Sequence, residues 1–162
     1  MSHQSVRFLL RDVSNSLADN IEFWGGREEE FNNLKSKATK YRWLLPLNAN
    51  RSPYNNQTRI KTWNVAIRFM QKDDFDANAE KTNYLHDDVD IQVDQFLQRL
   101  DDWSQTSNDI VGDVTIQSVT QQPFYKKTAD IYSGWELRFQ LVTSDDFEYC
   151  TPENLEYYAG NI

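Results

Sequence analysis

The residues able to do chemistry in this chain are few and scattered. Two histidines, His3 and His86, and one cysteine, Cys150, supply all its imidazole and thiol groups. A thiolate nucleophile with an imidazole base would need Cys150 beside His86. Any chain with one of each offers that pair, so a packing cysteine is the better expectation. A zinc site would have to recruit Cys150 and distant carboxylates without the short ligand spacings such sites use. The run Asp74, Asp76, Asn78 and Glu80 has the alternation of a calcium loop, but Ala79 stands where the loop needs glycine and Leu85 where it needs glutamate. A solvated acidic loop is expected there. Gly25-Gly26 follows a helical pattern instead of joining a strand to a helix, so it is no phosphate-binding turn. Asn50-Arg51-Ser52 and Asn56-Gln57-Thr58 match the glycosylation triplet, which means little without a secretory signal. The expectation is a protein with no catalytic, cofactor-binding or metal-ligating residues, and not an enzyme.

The bulk numbers narrow the class further. At 162 residues the chain is expected to be one domain, 1–162, with residues 144–162 as a flexible C-terminal segment. Hydrophobic residues make up 39% and charged ones 26%, with a mean hydropathy of -0.76, a globular composition with long polar loops. No run approaches the roughly 18 apolar residues of a membrane span. The start, MSHQSVRFLLRD, lacks a signal peptide's basic opening and apolar stretch, which suggests a cytoplasmic protein. Lys and Arg number 17 against 25 Asp and Glu, a formal charge of -8 that repels nucleic acid overall.

The elements that must position any surface are legible from periodicity. Val6, Leu9, Leu10, Val13, Leu17, Ile21 and Trp24 form one helical stripe, which predicts a helix ending near Trp24 at Gly25-Gly26. Tyr41, Trp43, Leu45 and Leu47 alternate with Arg42, Leu44 and Pro46, a short strand pushed to a sheet edge by its proline. NANRSPYNNQTR then reads as a long polar loop or hairpin tip. In KTWNVAIRFMQ, residues Trp63, Val65, Ile67 and Phe69 share one strand face. A second helix carries the stripe Leu85, Val89, Val93, Phe96, Leu97, Leu100 and Trp103, with Asp87, Asp88 and Asp90 expected in its first turns. DVTIQSV and SGWELRFQLVT give two more strands, joined by the connection QQPFYKKTADIY. In the last strand Trp135, Leu137, Phe139 and Leu141 oppose Glu136, Arg138 and Gln140. Strands with only one apolar face suit an antiparallel sheet, so the expected fold is α+β, one sheet face covered by two amphipathic helices in the order helix, strands, helix, strands.

That order, with the ending QPFYKKTADIYSGWELRFQLVTSDDFEYC, resembles small tail-completion proteins of tailed bacteriophages, and in particular the tail terminator family. The resemblance spans about residues 4 to 150 and implies a sheet packed by two helices. It also implies a structural virion protein that forms a hexameric ring, caps the tail tube and joins it to neck or connector proteins. Assembly in a bacterial host's cytoplasm, no membrane contact and DNA only in passage follow from the same likeness. The alternative is a monomeric acidic binding or adaptor protein of the immunity type, which would engage a basic partner one to one.

Contact residues are expected at loop tips, Arg51, Pro53 and Tyr54 at one and Phe124, Tyr125, Lys126 and Lys127 at another, because aromatic residues and arginine are enriched at interfaces. Lys126 and Lys127 are expected to pair across a subunit boundary with Asp87, Asp88 and Asp90. The polar strand face, Asn64 and Arg68 with Glu136, Arg138 and Gln140, would meet a ring's lumen, a neighbouring subunit, or water.

Overall fold

The computed structural model describes residues 2–17, 21–33, 39–51, 60–73, 79–127 and 131–150, and within these ranges all side chains but those of residues 2, 28, 79, 126 and 127. The chain runs through α1 (Ser2–Asn15), β1 (Glu22–Gly25), α2 (Glu28–Asn32), β2 (Lys40–Leu44), β3 (Asn48–Arg51), β4 (Ile60–Lys72), α3 (Ala79–Thr106), β5 (Ile110–Val111), β6 (Val114–Lys127), β7 (Tyr132–Ser144) and β8 (Glu148–Tyr149). One sheet has the strand order β1, β2, β4, β7, β6, and β3 also pairs with β4. Since β7 follows β4 along its whole length, β2 and β3 share the other side of β4. The short strands β5 and β8 form a separate pair.

The fold is α+β, with a mostly antiparallel sheet. The β4–β7 ladder sets Trp63 opposite Leu141, Val65 opposite Phe139, Ile67 opposite Leu137 and Phe69 opposite Trp135. These rows pack against Val6, Leu9, Leu10 and Val13 of α1 and Leu85, Val89, Val93, Phe96 and Leu100 of α3. The period-2 and period-3.6 apolar stripes thus meet in one core, which removes both from water. Trp135 Nε1 donates to the His86 carbonyl oxygen at 2.9 Å, pinning α3 across the last long strand. Gly134 stands where β7 presses on β4, and a Cβ there would lie 1.8 Å from the Phe69 carbonyl oxygen.

The structure corrects the expected elements at several places: β2 lies between β1 and β4 and not at a sheet edge, and NANR, at the start of the expected polar loop, forms strand β3 against β4. Helix α1 ends at Asn15, not near Trp24. Ser16 Oγ donates to the Val13 carbonyl oxygen at 2.7 Å, satisfying an end group that a longer helix would have used. Trp24 lies in β1, a strand parallel to β2, with Trp24 opposite Trp43. There it meets the rings of Phe31 and Trp43, at 5.3 and 5.5 Å between centroids.

Arg42, expected on the strand face away from Tyr41 and Trp43, is on the core face opposite Phe69 and only 1% exposed. Strand β2 is nearly continuous in large residues because both of its faces are covered: Arg42 and Leu44 meet the helices, while Tyr41 and Trp43 join a second cluster with Phe31, Met70, Phe124 and Tyr132. Pro46 falls at the break between β2 and β3, just after Leu45 donates its N–H to Ala66.

The supposed connection QQPFYKKTADIY is largely strand, because β6 continues to Lys127. Bulges at Gln117/Thr120 and Phe124/Lys127 shift its register and blur the alternation from which a strand is read. Helix α3 starts at Ala79, so Asp87, Asp88 and Asp90 lie beyond its first two turns. Residues 144–150 of the supposed flexible segment are built into the molecule: Phe147 and Tyr149 are buried, and Tyr149 Oη donates to Asp12 Oδ2 at 2.9 Å. Residues 151–162 lie outside the described residues.

Candidate assembly surface

The β4–β7 register brings the expected polar face together. Asn64 stands opposite Gln140, Ala66 opposite Arg138 and Arg68 opposite Glu136. Arg68 Nε donates to Glu136 Oε1 at 3.0 Å and Arg138 Nε to Glu136 Oε2 at 2.8 Å, so one carboxylate is held between two guanidinium groups. Burial disfavours the charge on Glu136, but hydrogen bonds from Arg138 and Arg68, joined by their charges, outweigh it and hold its carboxyl below the usual range. Arg68 also lies over the Trp43 ring, 4.8 Å from its centroid. Further along, Gln140 Nε2 donates to Asn64 Oδ1 at 3.3 Å and Asn64 Nδ2 to Asn48 Oδ1 at 2.6 Å, extending the row to β3. Arg138 is 62% exposed at its side chain and is the most open member of the Arg68, Glu136 and Arg138 group.

At the Lys72 end, this same sheet face is closed by the aromatic cluster. The Phe31 and Trp43 rings stack at 5.1 Å with an interplanar angle of 10°. Sequence reasoning missed this cluster because Phe31 arrives on the five-residue helix α2, too short to show a period.

The expected loop contacts fare unevenly. Arg51 is exposed at the end of β3, opposite Lys61, whereas Pro53 and Tyr54 lie outside the described residues. Phe124 is 6% exposed and belongs to the aromatic cluster, so it is a packing residue and not a contact. Tyr125, pointing the other way from the same strand, is 58% exposed and rests on the His86 ring at 4.5 Å. Lys126 and Lys127 are the last residues of β6, and their side chains are outside the description. Asp87 and Asp88 are exposed on α3. Asp90 accepts from Gln121 Nε2 at 2.6 Å, so β6 and this part of α3 are neighbours within one chain.

The residues considered for chemistry are separated or occupied. His86 sits near the start of α3 with its ring nitrogens 2.8 Å and 3.0 Å from the carbonyl oxygens of Thr82 and Phe124. Cys150 donates its backbone N–H to Asp109, past the far end of α3. About 30 Å of helix lies between His86 and Thr106, which rules out a thiol–imidazole pair. The calcium-like run lies outside the described residues except for Glu80, which is in the first turn of α3. Among the described residues no group of three His, Cys, Asp or Glu side chains could hold a metal ion. No described helix is long and apolar enough to cross a membrane.

Two further features escaped the sequence. Arg42 Nη1 donates to both the carbonyl oxygen and the hydroxyl of Ser14, closing the C-terminal end of α1. His3, Arg7, Arg51 and Lys61, dispersed along a chain of negative net charge, converge near the N-terminal end of α1. Trp63 of β4 gathers them, with the His3 ring 6.0 Å and Lys61 Nζ 4.2 Å from its ring and Arg51 opposite Lys61 on β3. No protein-family model matches the chain, and no curated protein matches it either.

Proposed function

We propose that this chain is a structural subunit of a bacteriophage tail, a tail terminator or tail-completion protein that caps the tail tube as a hexameric ring and joins it to the neck. The resemblance of its element order and closing phrase to that family supports the reading. The observation that carries it is the two-sided character of the sheet. Helices α1 and α3 seal one face, while the other presents the row Asn48, Asn64, Gln140 and the group Arg68, Glu136, Arg138, bonded among themselves. Such a row is already satisfied and stiff, which suits a wall that touches a neighbour or a lumen. With a charge of -8, the chain would let DNA pass with few phosphate contacts. The protein would assemble in the host cytoplasm and remain in the virion.

The four aspartates Asp87, Asp88, Asp90 and Asp94 on α3 favour the second reading, a monomeric acidic adaptor for a basic partner. Stoichiometry separates the two. Negative-stain imaging of concentrated protein, with native mass in low and high salt, should show closed rings for the tail subunit. A strict monomer that forms one-to-one complexes would replace it with the adaptor.

A further inference from the structure

Two surfaces of opposite charge lie toward opposite borders of the helix-covered sheet face, one at β3 and the other at β6. On the β3 side, His3 of α1 lies 6.0 Å from the Trp63 ring of β4 and Lys61 Nζ 4.2 Å from the same ring, Arg51 of β3 stands opposite Lys61, and Arg7 lines one recess with His3. Burial first, then the charges of Arg7 and Lys61, hold His3 below its ordinary value, and burial followed by the charge of Arg51 does the same to Lys61. The side-chain charges that act on these two groups are those of Arg7, Arg51 and Lys61, and His3, held below its ordinary value, adds none of its own at neutral pH. Helix α1 has no acidic residue in its first turn, so the positive end of its dipole adds to the same field. Beside this corner is a recess of about 250 Å³, where Arg7, Arg27, His3 and Glu30 stand around the apolar segment 44–47.

On the β6 side the field reverses. From Thr82 to Gln98, α3 carries Asp87, Asp88, Asp90 and Asp94 and no Lys or Arg. Asp90 is tied to Gln121 of β6, and Asp87 and Asp94 lie three and four residues from it, on the same stripe of the helix. Both are exposed and have no ion-pair partner among the described residues. Lys61 of the corner stands on β4, with β7 between it and β6, and no ion pair joins the two patches among the described residues.

We propose that the cationic corner of Arg7, Arg51 and Lys61, beside His3, is a docking surface for the Asp87 and Asp94 stripe of a second copy of this chain, joining copies head to tail. Charge complementarity selects the occupant: a second copy offers the matching aspartates, whereas a nucleic acid would meet a chain that repels it overall. Unlike patches on opposite borders make a heterologous contact, which generates a ring when its rotation closes. The inference rests on the assembly reading and adds to it which surfaces meet.

The test is sedimentation velocity of the full chain in salt of about 0.1 M and about 1 M, between which the screening length falls roughly threefold. It compares wild type with Arg7→Glu/Arg51→Glu and Asp87→Arg/Asp94→Arg, all four at exposed positions. Wild type should associate in low salt and weaken about tenfold or more in high salt. Each double variant should stay monomeric with unchanged thermal unfolding, and an equimolar mixture should regain assembly with the two alternating. Rings unaffected by either variant would overturn the docking and leave the ring reading standing. A wild type monomeric at every concentration would overturn the docking, and the ring reading would then be judged separately by imaging the protein on tail tubes. Duplex DNA retained by wild type and lost in Arg7→Glu/Arg51→Glu, without self-association, would make the corner a nucleic-acid surface instead.

Discussion

Arg42 Nη1 lies 2.8 Å from the carbonyl oxygen of Ser14 and 2.9 Å from its hydroxyl, so a strand side chain buried in the core closes the last turn of α1. A cation there satisfies an end carbonyl and faces the negative end of the helix dipole. Burial lowers the guanidinium to about 10, still charged at neutral pH. Its Nε has no hydrogen-bond partner among the described residues. Arg42→Ala should lower stability by about 2–4 kcal/mol through lost packing and the unsatisfied helix end. Arg42→Met should recover part of the packing and none of the hydrogen bonding. Urea unfolding of both variants separates the two contributions; equal losses would mean that packing contributes nothing.

Glu136 makes stability depend on acid. Because its folded value is depressed, its contribution is present above the ordinary carboxylate range and is lost as pH falls through the folded value. Glu136→Gln should cost roughly 1 kcal/mol at neutral pH, the small figure reflecting solvent screening of the pair with Arg138. The gap between variant and wild type should shrink as pH drops to about 3. Melting temperatures measured across that range test it, and a constant gap would contradict it.

Gly134 is required by space. A Cβ at that position would overlap the Phe69 carbonyl oxygen, an atom of the neighbouring strand that cannot swing aside. Gly134→Ala should therefore cost at least about 3 kcal/mol by forcing β4 and β7 apart. Thermal unfolding reads the effect, and a variant as stable as wild type would show that the strands separate freely.

Tyr149 ties the end of the described chain to α1 through Asp12. Burial first, then the Asp12 charge and the hydrogen bond to it, push the phenol above its ordinary value. A raised folded value means that the stability contribution is complete below the unfolded value of about 10 and is lost at higher pH. An ultraviolet absorbance titration of wild type against Tyr149→Phe should show this phenol ionising last, together with unfolding. Tyr149→Phe should cost about 1 kcal/mol at neutral pH.

How much of this was legible follows from the range of each signal. The stripes Val6, Leu9, Leu10, Val13 and Leu85, Val89, Val93, Phe96 announce their helices, and the alternation of Trp63 to Phe69 and of Trp135 to Leu141 announces the two central strands, because each pattern repeats over several residues of one element. From the same alternation came the grouping of Asn64, Arg68, Glu136, Arg138 and Gln140 on one face. Local periodicity could not say that Trp24 leaves the helix for a strand, since its spacing continues the stripe and only the rings of Phe31 and Trp43 draw it elsewhere. Nor could it show β6, whose bulges interrupt the period.

The α+β class and the two amphipathic helices over one sheet face were determined by the sequence alone, through hydrophobic periods that admit few other burials. The tertiary structure decided what no local window contains: Arg42 in the core against Ser14, Phe124 turned inward, and cations from α1, β3 and β4 gathered opposite the aspartates of α3. These depend on the register and order of strands distant in the chain. Side chains there are sorted by the space and charge that another element brings to them.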